Sequence, residues 1–129
     1  MARQQWTAAA VPGEVRRLRH QVCDFARTNG VPVSRLEDIA LAVTEIVTNA
    51  VLHAHRGAPG VGTITVTATL DASAGLRVTV ADDGIGLSPR ADSPGAGLGL
   101  IICDQLAEVR YGEPPGGGTQ VEMLFAGIA

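Results

Sequence analysis

Between Thr63 and Leu70 the chain reads Thr63-Ile64-Thr65-Val66-Thr67-Ala68-Thr69-Leu70, with threonine at every odd position and an apolar residue at every even one. Successive side chains of a strand point to opposite faces, so this run is a β-strand with one wet face and one buried face. Asp71 to Gly75 supplies a turn, and Leu76-Arg77-Val78-Thr79-Val80 repeats the alternation as an antiparallel neighbour. A last strand is expected over residues 118–125 and a short edge strand over 5–10.

The buried face needs a cover, and the flanking segments have helical periodicity. Pro12 and Gly13 open a helix over 13–28 that carries Val15, Leu18, Val22 and Phe25 on one side, and Asn29-Gly30 offers a left-handed stop. Ser34-Arg35-Leu36-Glu37 reads as a capping box, in which hydroxyl and carboxylate each satisfy an orphan amide of the next helix. That helix should run over 35–54 and turn Leu36, Ile39, Ala40, Val43, Ile46, Val47 and Ala50 to the core. Gly57 to Gly62 breaks it. A third helix is predicted over 97–108, burying Leu100, Ile101 and Leu106 around Cys103, after an aperiodic stretch rich in Gly, Pro and Asp. Helices before and after a hairpin, with a strand at the end, imply a two-layer α/β sandwich: a mixed, mostly antiparallel sheet with helices on one face.

The 129 residues contain no linker, repeat or low-complexity tract, so 1–129 is read as one domain. A formal net charge of −3 argues against a dedicated nucleic-acid binder, and no run of about 18 apolar residues exists to span a membrane. Cys23 and Cys103 stand far apart without a CxxC, which suits two reduced thiols in a cytoplasmic protein. All ten basic residues are arginine. With no lysine the chain can contain neither a P-loop, nor the strand lysine of a eukaryotic-type kinase, nor the S-x-x-K hydrolase signature. Any handling of nucleotides must use another route.

Four clusters carry candidate chemistry. Glu45 and Asn49 are one turn apart on the long helix, and His53 continues their stripe. A solvated polar face accounts for them, but an Asn amide oxygen also suits Mg²⁺, and a carboxylate beside it could accept a proton. Asp82-Asp83-Gly84-Ile85-Gly86 follows a strand: its glycines let backbone approach a ligand and its carboxylate can accept from an exocyclic amine, though ordinary turns also favour these residues. Gly95-Ala96-Gly97-Leu98-Gly99-Leu100 opens the third helix, where main-chain amides form an anion site without lysine. The preceding loop and the G-x-G-x-G spacing exclude a dinucleotide fingerprint. Gly116-Gly117-Gly118-Thr119 leads into the last strand and reads as a turn by itself. Four-ligand zinc spacing around His53 and His55 is absent, and Arg16, Arg17 and Arg19 read as the solvated side of the first helix.

Taken in order, these clusters resemble the N, G1 and G2 boxes and the final Gly-Thr element of the GHKL, or Bergerat-fold, histidine-kinase-like ATPase superfamily, over residues 34–125. Within it the chain is most similar to bacterial anti-sigma factor serine/threonine kinases. It shares the phrase Thr44-Glu45-Ile46-Val47-Thr48-Asn49-Ala50-Val51-Leu52-His53, a short lid over 87–94 and an amphipathic first helix. The resemblance implies an ATP and Mg²⁺ site. Asn49 would hold the metal against the triphosphate, and Glu45 would be the general base toward a serine hydroxyl. Asp82 would recognise adenine with support from Thr119. Gly84 and Gly86 would pass close to the base, and Gly95, Gly97, Leu98, Gly99 and Leu100 would cradle the phosphates. The partners implied are a sigma factor, a STAS-domain anti-sigma antagonist, or both. A homodimer stays open, as do two rival activities: a nucleotide-gated binding protein with little turnover, and a detached ATP-binding module serving a histidine kinase.

Overall fold

The computed structural model describes residues 2–54, 62–83, 103, 105–112 and 118–126. In chain order these form β1 (Ala2–Ala9), α1 (Gly13–Thr28), α2 (Val33–Ala54), β2 (Thr63–Asp71), β3 (Gly75–Asp82), β4 (Glu108–Gly112) and β5 (Thr119–Phe125). The strands build one five-stranded sheet in the order β1-β2-β3-β5-β4, and every pairing among them is antiparallel. The architecture is the expected two-layer α/β sandwich, with the sheet fully antiparallel among the described residues.

The threonine alternation works as its pattern requires. Ile64, Val66 and Ala68 of β2 are fully buried while Thr63 is exposed and Thr65, Thr67 and Thr69 are half-buried. Leu76, Val78 and Val80 of β3 and Val121, Met123 and Phe125 of β5 extend the same dry face. Leu18, Val22, Phe25 and Ala26 of α1 and Ile39, Ala42, Val43, Ile46, Val47 and Ala50 of α2 join them in one core. Trp6 of β1 meets Phe25 edge-on, with ring centroids 6.2 Å apart and planes at 86°. This is a favourable aromatic arrangement that pins α1 over the sheet edge.

The first helix ends where Asn29-Gly30 predicts. Gly30 has φ +94°, its amide donates to the Arg27 carbonyl at 3.2 Å, and the amide of Val31 donates to the Ala26 carbonyl at 3.0 Å. This is a Schellman motif, closed by contact-sized apolar residues at both ends, since Val31 and Ala26 are buried. Three expectations need correction. The second helix begins at Val33, so exposed Ser34 lies inside its first turn instead of capping it, and the Arg35 amide donates to the Pro32 carbonyl at 2.9 Å. The edge strand is longer than 5–10, running Ala2–Ala9 against residues 63–70 of β2. The third helix does not extend to 108. Cys103, Gln105 and Leu106 are helical and the Ala107 amide donates to the Cys103 carbonyl at 2.9 Å, but Glu108 already begins β4. That strand was not foreseen, because a five-residue edge strand with only Val109 partly packed on the core carries almost no alternation. The rest of the predicted helix, 97–102 and 104, lies outside the described residues.

Neither Cys23 nor Cys103 forms a disulfide. Burial pushes the Cys23 thiol up, partly offset by Arg19 beside it. Arg17 pairs with Glu14 and donates to the Gln21 side chain at 3.2 Å, and Arg27 pairs with Asp24 at 2.7 Å. These are exposed ion pairs of the kind worth ~0–1 kcal/mol. No helix among the described residues is long and apolar enough to cross a membrane.

Candidate functional site

At one end of the sandwich, α2 faces the ends of β3 and β5 across a small cleft lined by Ile46, Asn49, Ala50, Val80, Asp82, Thr119 and Val121. Three of these are the buried polar residues of the described structure, Asn49 at 5% exposure, Asp82 at 6% and Thr119 at 4%. All three were candidate site residues in the sequence, and they come from three different elements.

Their convergence has local causes. Asp82 ends β3 and Thr119 begins β5, and the strand register makes them direct partners. The apolar residues that continue the same faces, Val80 and Val121, are partners too and form the floor of the cleft. Asn49 follows Ile46 by one helical step of three and so shares its inward side. The two adjacent aspartates divide their roles. Asp83 is exposed, and its Oδ1 accepts the Thr63 amide at 2.7 Å, tying the end of β3 to the start of β2. Asp82 turns inward to the cleft.

Gly118 fixes the junction. It has φ +95°, and a Cβ on it would stand 1.9 Å from the Asp82 carbonyl oxygen. Only glycine allows the last strand to start this close to β3.

Asn49 is the chemically telling member. Its Nδ2 is buried and has no hydrogen-bond partner among the described residues. An unpaired buried donor costs ~1–3 kcal/mol, and this one sits in the wall of a cleft that also presents a carboxylate and a hydroxyl. The open Asn49 N–H therefore fits a ligand that brings an acceptor oxygen to it. Among the described residues no three His, Cys, Asp or Glu side chains gather for a metal. A divalent cation here would rely on the ligand's own oxygens and water, as Mg²⁺ does with phosphates.

Glu45 is half-buried one turn before Asn49 and is not among the residues that line the cleft. Gly84, Gly86, Gly95, Gly97, Leu98, Gly99 and Leu100, the lid over 87–94 and the side chains of His53 and His55 lie outside the described residues. Sequence reasoning did not assign Ile46, Ala50, Val80 and Val121 to the site. Their apolar character marks them as core, and only the strand register shows that they also line the cleft.

A one-sided sandwich with a half-apolar cleft between a helix and two strand ends is a small-ligand-binding α/β domain. The family model of the histidine kinase-like ATPase domain matches residues 8–125, and the chain belongs to that family. An anti-sigma F factor of Clostridium acetobutylicum is 26% identical over 117 residues, covering 81% of this chain and 80% of that protein. A blue-light-activated histidine kinase 2 of Erythrobacter litoralis is 38% identical over 84 residues, covering 64% of this chain but 24% of the kinase. Among solved structures, the RsbU and RsbW domains of Rv1364c from Mycobacterium tuberculosis superpose with TM-score 0.70 at 25% identity, over 98% of this chain and 32% of that one. The mycobacterial sensor histidine kinase MprB, at TM-score 0.56 and 17% identity over 95% of this chain and 98% of that one, shares the fold.

Proposed function

We propose that this single domain is an ATP-binding regulatory protein of the cytoplasm: an anti-sigma factor with serine/threonine kinase activity toward a STAS-domain antagonist. The observation that carries this reading is the buried Asn49 Nδ2, without a partner among the described residues, in a cleft shared with Asp82 and Thr119. Asp82 and Thr119 would hold the adenine end, the carboxylate accepting from the exocyclic amine. The Asn49 amide would meet the triphosphate and its Mg²⁺, with Gly84, Gly86 and the segment from Gly95 to Leu100 completing the cradle. Bound ATP supplies the phosphoryl group. Glu45, one turn before Asn49, would take the proton of the acceptor hydroxyl, and the remaining catalysis is positioning and charge neutralisation. The similarity to an anti-sigma F factor over four-fifths of both chains supports the choice of partner class: a sigma factor, its antagonist, or both.

Incubation with γ-labelled ATP, Mg²⁺ and a purified STAS-domain protein tests the proposal. Label on a serine or threonine of the STAS protein is the expected result. A stable nucleotide-dependent complex without label would replace the kinase with a nucleotide-gated binder. Absence of Mg-ATP binding would remove both.

A further inference from the structure

β3 ends on Asp82 and the chain leaves the sheet at Asp83, so two identical carboxylates stand side by side where the strand pairing stops. Adjacent strand positions point to opposite faces, and here Asp82 lines the cleft while Asp83 is exposed. Chemistry does not distinguish the two side chains; their neighbours do. Toward β2, the Asp83 amide donates to the Thr63 carbonyl at 3.3 Å, and its Oδ1 accepts the Thr63 amide at 2.7 Å. In a regular antiparallel ladder the Asp83 carbonyl would accept that amide, so the side chain closes the last rung in place of the main chain. Toward β5, the Asp83 Cα lies 3.3 Å from where a Cβ on Gly118 would stand. Asp83 is therefore clamped between the first residue of β2 and the glycine that precedes β5.

We infer that Asp83 is a positioning residue for adenine recognition: its carboxylate, held on the Thr63 amide, keeps the end of β3 in the orientation that turns Asp82 into the cleft. The inference rests on the reading of Asp82 as the contact to the base. A buried carboxylate is pulled toward water, and strand ends fray easily, so an inward Asp82 needs its strand end secured. A turn of the backbone at this point would exchange the two faces and carry Asp82 out of the cleft. The bond from Thr63 to Oδ1 is the part of the clamp that depends on the side chain of Asp83, and it opposes that turn.

The test compares Asp83→Ala, Asp83→Asn and, as a control, Asp71→Ala. Asparagine keeps the acceptor oxygen that the Thr63 amide uses, and alanine removes it. Asp71 accepts the Ser73 amide at 2.8 Å, about 27 Å along β2 from Thr63 at the other end of the hairpin. Calorimetry should show Asp83→Ala binding Mg-ATP about tenfold more weakly and Mg-GTP less than about threefold more weakly, so that the preference for ATP narrows. Asp83→Asn and Asp71→Ala should stay within about twofold of the wild type for both nucleotides. A bond that only stabilises the hairpin would lower the urea midpoint without moving the ratio of ATP to GTP affinity, and an unchanged ratio in Asp83→Ala overturns the inference. So does an Asp83→Asn variant as impaired as Asp83→Ala. If the wild type shows no preference for ATP, the adenine reading fails by itself, and amide hydrogen exchange at Asp82 and Thr119, which pair directly, decides the positioning role. Exchange at least about fivefold faster in Asp83→Ala, with Asp83→Asn unchanged, supports it. Equal exchange in Asp83→Ala and the wild type overturns it.

Discussion

Gly118 and Asp82 are joined at a distance that tolerates no side chain: a Cβ on Gly118 would meet the Asp82 carbonyl oxygen at 1.9 Å. This contact sets where β5 begins, and with it the pairing of Thr119 with Asp82. Gly118→Ala adds a backbone clash to a left-handed conformation and should cost about 2–4 kcal/mol. Urea unfolding measures it, and a loss below about 0.5 kcal/mol, the range of an ordinary surface substitution, would show that the junction can relax.

Asn49→Ala separates stability from binding. Among the described residues the side chain leaves one buried donor unpaired, so its removal relieves a penalty while it forfeits some packing. Unfolding free energy without ligand should change by less than about 1 kcal/mol, while affinity for Mg-ATP falls at least tenfold, as a lost hydrogen bond to a charged group of ~1.5–3 kcal/mol implies. A variant that unfolds easily yet binds normally would assign Asn49 to the core alone.

Asp82→Asn replaces an acceptor with a group that can also donate. Calorimetry with ATP and GTP should show the wild type preferring ATP about tenfold or more, and the variant losing that preference. Equal binding of both nucleotides to both proteins would remove the adenine contact.

Glu45→Ala should leave Mg-ATP affinity within twofold, because Glu45 lies outside the cleft lining, and should abolish label transfer. Retained transfer would mean that the base is another group.

Asp71 provides a check on pH dependence away from the site. The Ser73 hydroxyl donates to its Oδ1 at 2.7 Å and the Ser73 amide does so at 2.8 Å, and these bonds hold the carboxyl below its usual range. A depressed folded value means that its contribution is present above the ordinary aspartate pKa of ~3.9 and disappears as pH falls through the folded one. The gap in unfolding midpoint between wild type and Asp71→Ala should therefore narrow on acidification below about pH 4. A gap of constant size would show that the turn is held by its backbone.

Much of this molecule is written locally. The threonine alternation of β2, the bounds of α1 and the Schellman stop at Gly30 depend on neighbours a few residues apart, where periodicity and φ preference act directly. The capping box at Ser34 failed because a helix can start earlier when Pro32 offers a carbonyl to the Arg35 amide and Val31 anchors the chain in the core. β4 escaped because an exposed edge strand needs only one packed face, and Tyr111 remains 46% exposed in it. Of the candidate site, the residues Glu45, Asn49, Asp82 and Thr119 could be picked out by type, spacing and resemblance, whereas the apolar floor could not.

Local pattern thus determined which segments become strands and helices, which face of each is dry, and which polar residues stand out, because these properties repeat with the period of a single element. The tertiary structure decided that β5 inserts between β3 and β4, and so brings Thr119 opposite Asp82 and both beneath Asn49. Non-local pairing is chosen by the fit of whole apolar faces and by one glycine contact between residues 36 positions apart (Asp82 and Gly118). No window of sequence spans both sides of that choice.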